Sequence, residues 1–191
     1  MMIRIFNILC ILLFFFHQNA FPGEHFKIGL FLGYFHPSQS EFKGIYGNGY
    51  PKYFSLSLKI KNNLFISTGY EFINLKGNAI GEGEESYPLR FEMKNLPISI
   101  FYIFQLRNLE SSIGIGLIRS SFKERWESIP LEYSGRKTGY FVFANLEIPL
   151  VRVLYFVTSI RFERIYSDES AFSKRIDLGG FKAFSGISIN L

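Results

Sequence analysis

Cysteine is almost absent from this chain, and its one copy, Cys10, lies within an apolar N-terminal stretch. Downstream of that stretch there is no pair of thiols for a disulfide, no thiolate nucleophile and no Cys-based metal site. Histidine is scarce as well: beyond residue 20 only His25 and His36 occur, with neither an HExxH pair nor a phosphate-cradling glycine loop. Charged residues make up only 19% of the chain, and the cations behind the formal +5 are scattered, without a basic run or a recognition helix. That distribution argues against nucleic acid as a partner. The apolar stretch itself, Ile5 to Phe16, has 12 residues. As a helix it spans about 18 Å against ~30 Å of hydrocarbon, too short for a permanent anchor.

What that stretch does fit is an export signal. Arg4 supplies a positive n-region, Ile5 to Phe16 the apolar region, and a short polar segment ends at Ala20. Residues 1–20 are expected to be a cleaved signal peptide and residues 21–191 a single domain. Leu9, not a small residue, precedes Cys10, so no lipid anchor is expected.

Aromatic residues are abundant, 18% of the chain with 23 Phe and 11 Tyr, which favours sheet over helix. From Phe26 onward the hydrophobic period is two, in eight segments: Phe26 to His36, Tyr53 to Ile60, Leu64 to Leu75, Leu89 to Phe104, Leu109 to Phe122, Lys137 to Leu150, Arg152 to Arg164 and Ile176 to Leu191. Their connections alternate. Lys61 to Asn63, Gln105 to Asn108 and the Leu150/Val151 junction are tight; His36 to Lys52, Lys76 to Pro88, Lys123 to Arg136 and Ile165 to Arg175 are long and polar. An even-stranded barrel with short periplasmic turns and long extracellular loops has this pattern. The fold class expected is all-β: an eight-stranded antiparallel up-and-down transmembrane β-barrel.

Which face is apolar supports the membrane reading. Leu30, Leu32 and Tyr34 alternate with Gly29, Phe31 and Gly33, and Leu96, Ile98 and Ile100 with Pro97 and Ser99. The second face, rich in Gly and Ser, suits a crowded lumen of small radius better than a water-facing exterior. Seven charges fall on it: Lys27, Lys59, Glu71, Glu147, Arg161, Glu163 and Lys182, four cations and three carboxylates. Facing charges in so narrow a space are expected to pair, because an unpaired buried charge is costly. Their expected role is packing and gating, with either a plugged lumen or a narrow polar pathway as the outcome. Phe31, Phe35, Phe65, Phe141, Phe143 and Tyr155 share the inner face, which leaves an apolar ligand channel open too.

Candidate chemistry is sparse. His36 and Ser38, at the top of the first strand, are the residues an enzymatic role would use, but a base also needs an orienting carboxylate and none is assignable. His25 lies at the opposite, periplasmic end. Glu82, Glu84 and Glu85 form an acidic cluster in a Gly-rich loop that resembles a weak Ca²⁺ site less than a solvated loop. No catalytic residue, cofactor or metal is expected.

The segments FKIGLFLGYFHP, FKGIYGNGY, KNLPISIFYIF, GYFVFANLEIPL and IDLGGFKAFSGISINL together resemble the outer-membrane β-barrel domain family of OmpA-, OmpX- and OmpW-type barrels. The resemblance covers nearly all of residues 21–191; Leu191 stands where the family ordinarily carries an aromatic residue. It implies the outer membrane of a Gram-negative-type bacterium, with membrane lipid, lipopolysaccharide and the barrel-assembly machinery as partners of a monomer. The implied function is non-enzymatic: structural, surface-binding or a narrow solute channel. A lipid-A- or phospholipid-modifying enzyme and a soluble periplasmic lipocalin-like barrel are the alternatives.

Overall fold

The computed structural model describes residues 25–80, 86–106, 109–167 and 176–191. The expected signal peptide, the Glu82, Glu84 and Glu85 cluster and most of the last long connection lie outside the described residues. Eight strands close a barrel: β1 (Phe26–Pro37), β2 (Lys52–Lys61), β3 (Leu64–Ile80), β4 (Ser86–Leu106), β5 (Leu109–Trp126), β6 (Glu132–Val151), β7 (Leu154–Arg164) and β10 (Gly180–Asn190). Each pairs antiparallel with its neighbour in sequence, and β1 pairs with β10 from Lys27 opposite Asn190 to Pro37 opposite Gly180. A helix, α1 (Ser40–Tyr46), follows β1, and the two-stranded ribbon of β8 (Tyr166–Ser167) and β9 (Ile176–Asp177) precedes β10.

Local chemistry explains the tight ends and the irregularities. The β2–β3 turn passes through Asn62 at φ 48°, a left-handed conformation that Asn tolerates better than most residues. The β6–β7 register shifts between Pro149 and Val151, where proline has no N–H to give the ladder. The β3–β4 ladder skips the pairs that Leu96 and Pro97 would make with Tyr70 and Gly69, for the same reason at Pro97. Helix α1 ends at Gly47, whose φ of 67° favours glycine and whose N–H donates to the Lys43 carbonyl at 2.8 Å. It can lie on β3 because Gly77 has no side chain: a Cβ there would sit 2.5 Å from the Ile45 carbonyl oxygen.

Four strands run longer than their alternation in the sequence predicts. β3 continues to Ile80, β4 begins at Ser86, β5 continues to Trp126 and β6 begins at Glu132. The expected loops Lys76 to Pro88 and Lys123 to Arg136 are therefore mostly ladder, a four-stranded extension rising from one side of the barrel. The expected loop His36 to Lys52 carries α1.

The exterior decides the solvent. Around the barrel Leu32 is 68% exposed, Ile98 57%, Ile115 58% and Val142 49%, within a continuous belt of large apolar residues. Monomeric soluble proteins do not present such a surface to water. A soluble barrel would bury it, so the lipocalin-like alternative fails on this observation. Above the belt the pattern inverts. In the extension Ile73, Leu75, Leu89, Phe91, Met93 and Phe122 point inward and are buried, while Lys76, Lys94, Arg119 and Arg125 are exposed.

The lumen and its extracellular closure as the candidate functional site

From the mouth at the tight-turn end, the inner face is built in layers. Lys27 of β1 comes first, because strand alternation turns it inward beside Gly29. Its Nζ donates to Glu147 Oε2 at 2.9 Å and to Glu110 Oε2 at 3.0 Å, and lies 5.5 Å from the Phe65 ring centroid. Glu110 was not among the expected lumen charges. Its even position on β5, in phase with Ser112 and Gly114, was the signal that marks it inward. Lys59 is placed apart from this cluster, half-buried at the mouth beside Asn63, Gln105 and Glu110, with no ion pair among the described residues.

Above Lys27, Phe65 and Phe101 stack with centroids 5.3 Å apart and Phe143 meets Phe101 edge-on at 5.9 Å. A serine-lined cavity of about 50 Å³ follows, bounded by Ser55, Ser57, Ser67, Ser99 and Ser159. Ser57 Oγ donates to Ser67 Oγ at 3.0 Å. The space suits a few waters, not a small-molecule ligand, whose pockets measure about 300–1,000 Å³.

Arg161 of β7 forms the ceiling of that cavity. Its guanidinium lies 4.7 Å from the Tyr53 ring centroid, 4.8 Å from Phe141 and 5.0 Å from Phe184, an aromatic cage that suits a planar cation. Nη1 donates to Glu71 Oε2 at 2.8 Å. The other oxygen of Glu71 accepts from Asn95 Nδ2 at 2.7 Å and from Lys182 Nζ, and Lys182 pairs in turn with Glu163. Glu71, Glu163 and Lys182 are completely buried. Two cations therefore face two carboxylates, the balance a sealed cluster needs. Neither Asn95 nor Tyr53 was singled out in the sequence. Asn95 was legible as a polar residue in phase with Pro97 and Ser99. Tyr53 looked like a strand end, and only barrel closure brings it over Arg161.

The structure thus gathers six of the seven predicted charges into two groups, Lys27 with Glu147, and Glu71 with Arg161, Lys182 and Glu163, and leaves Lys59 outside both.

Directly above the upper cluster the chain changes character. Phe35, Ile73, Met93 and Ile118 are fully buried there, and Phe42 and Tyr46 of α1 close over Phe91 with centroids 5.0 and 5.3 Å away. Asp177 ties the ribbon to this cap: its carboxylate accepts from the backbone N–H groups of Ile165 (3.0 Å) and Gly179 (2.9 Å) and from Arg164 Nη1 (2.6 Å). Its own N–H donates to the Gln39 side chain at 2.7 Å. At the far end of the extension Glu124, buried beneath α1, accepts from Trp126 Nε1 at 3.1 Å, and burial pushes its carboxyl above the usual range.

His36 is half-buried on the outward phase of β1, and Ser38, exposed just beyond it, gives its N–H to the Gly179 carbonyl at 3.1 Å. Their side chains share no hydrogen bond, and His36 has no carboxylate partner among the described residues.

No protein-family model and no curated sequence matches the chain. Solved structures do. Neisserial surface protein A is similar over 87% of this chain and 97% of its own, at 13% identity and a TM-score of 0.66. The outer membrane protein OprG from Pseudomonas aeruginosa matches over 88% and 96%, at 9% identity and a TM-score of 0.68. The N-terminal β-barrel domain of Pseudomonas aeruginosa OprF matches over 88% and 98%, at 12% identity and a TM-score of 0.55. At such identities the likeness is one of fold: the chain has the eight-stranded outer-membrane barrel fold.

Proposed function

We propose that the protein is a non-enzymatic, plugged barrel of the outer membrane that holds a rigid four-stranded platform at the cell surface for binding. The observation that carries this reading is the double closure of the lumen. A charge-balanced cluster at Glu71, Arg161, Lys182 and Glu163 is capped by an apolar core into which α1 packs. An open pathway needs a continuous wet lining, and an apolar cap several residues deep supplies none. With short turns on the periplasmic side, the extension and α1 face outward. The residues that close the lumen are, in this reading, the barrel's internal scaffold, so selection for binding acts on the exposed outer face and on the connections above it.

Conductance of the refolded barrel in a planar lipid bilayer tests the reading. A folded barrel that inserts and stays electrically silent agrees with it. Sustained unitary steps that change when Glu71 or Lys182 is neutralised would replace it with a gated pore.

A further inference from the structure

We propose that the outward face of the barrel, immediately above its apolar belt, holds a site for a phosphorylated lipid headgroup, built by Lys94, Arg119 and Arg136 around Ser121. The proposal rests on the membrane reading given above. Strand register brings the residues together. Lys94 of β4 lies opposite Ser121 of β5, which lies opposite Arg136 of β6. Arg119 stands two residues below Ser121, between Leu96 and Thr138. Neighbouring strands are about 4.8 Å apart, so Lys94 and Arg136 flank the serine hydroxyl, and Arg119 is the diagonal neighbour of both, about 7–8 Å away. Lys52 extends the row on the far side of Phe72.

All of these side chains are exposed, and beneath them Asn95 and Ser120 are completely buried, so the backbone that carries the cations is held from inside. Leu96 and Leu117, 51% and 63% exposed, end the apolar belt directly below. A ligand that meets the cations and the belt at once must be anchored in the bilayer with its anionic group at this height.

The next tier shows what the cluster lacks. Arg90 pairs with Glu127 at 3.2 Å, Arg125 with Glu132 at 3.2 Å, and Lys123 with Glu132 at 2.5 Å. Lys94, Arg119 and Arg136 have no carboxylate partner among the described residues. The nearest outward carboxylate in register, Glu92, stands a tier higher, opposite Lys123. Like charges on diagonal positions repel, and the same strands show that a glutamate could have been placed among them. A phosphate monoester relieves the repulsion, taking charge-assisted hydrogen bonds from the guanidinium groups and the ammonium.

Native mass spectrometry of the folded, detergent-solubilised protein, titrated with bisphosphorylated lipid A, with dephosphorylated lipid A and with inositol hexakisphosphate, tests the site. Flotation with phosphatidylcholine vesicles and heat-modifiable migration establish insertion and folding for every variant. The proposal expects bisphosphorylated lipid A to bind roughly tenfold or more tightly than the dephosphorylated form. K94Q/R119Q/R136Q should lose that advantage and R90Q/K123Q/R125Q keep it, with R119Q alone intermediate. Undiminished binding by the first triple variant, or equal binding of the two lipids, overturns the site in a barrel that still floats. Inositol hexakisphosphate bound as tightly as lipid A overturns the lipid and leaves a soluble polyanion as the ligand. A protein that folds but does not float overturns the membrane reading, and the site with it.

Discussion

The extension continues four of the eight strands of the lower barrel, yet the two parts are inside-out relative to each other. In the lower part of β4, Ile98, Ile100 and Tyr102 face outward and Ser99 and Phe101 inward; in the upper part Leu89, Phe91 and Met93 face inward and Arg90 and Lys94 outward. The pleat runs on without interruption, so the two-residue period is unbroken. What changes is the phase of the apolar residues: even numbers below, odd numbers above. β3 makes the same change between Tyr70 and Ile73, and β5 the corresponding one, from odd numbers to even, between Leu117 and Ile118. A strand exposes to its surroundings whatever those surroundings solvate best, and the surroundings change from hydrocarbon to water at that height. The phase change therefore marks the membrane boundary, and a polar lumen below it becomes an apolar core above.

The largest effect should come from breaking the ionic cluster that lies just beneath that boundary. Glu71→Gln leaves Arg161 and Lys182 with one carboxylate between them, and should cost about 3–5 kcal/mol of unfolding free energy, read from urea titration in lipid vesicles. Pairing it with Arg161→Met should return much of the loss. If the single change is neutral, the cluster is not the stabilising element described here.

A smaller effect sharpens the boundary itself. Ile115→Arg puts a charge on the lipid face and should cost about 2–4 kcal/mol near the bilayer centre, whereas Ser121→Arg, three pairs higher on the same outward face, should cost about 0–1 kcal/mol. Equal costs would mean that the phase change does not coincide with the edge of the bilayer.

The smallest effect belongs to the extension. Burial raises the Glu124 carboxyl, so the folded form holds its proton more tightly than the unfolded chain. The stabilising contribution is complete below the unfolded carboxylate range and is lost as pH rises through the raised value. Protection factors of β5 and β6 above Arg119, taken relative to the intrinsic exchange rate at each pH, should therefore rise on mild acidification, and Glu124→Gln should flatten the response. An unchanged pH response in that variant would assign it to another group.

The strand number, the alternation of tight and long connections and the lipid face were legible in the sequence because each depends on a local period of two. Lys27, Glu71, Glu147, Arg161, Glu163 and Lys182 were placed on the inner face by the same rule. Lys59 was placed there too, but it sits at the mouth, since alternation specifies a side of the sheet and not a depth. The extension was missed because Lys76 to Pro88 and Lys123 to Arg136 are polar, and polarity there reads as loop. Ala79 within the first of them, and Leu89 and Phe122 at their borders, are buried and show the alternation continuing once the change of phase is allowed for.

Alternation, a sum of nearest-neighbour preferences along the chain, determined by itself that this protein is an antiparallel barrel with one apolar and one crowded face. Only the closed tertiary structure decided which charges meet, because Lys27 reaches Glu147 and Arg161 reaches Glu71 across the lumen, between strands far apart in sequence. It decided likewise that the extracellular end is filled: Phe42 and Tyr46 of a seven-residue helix gain their burial against Phe91 of a distant strand, and no local pattern in either segment encodes that meeting.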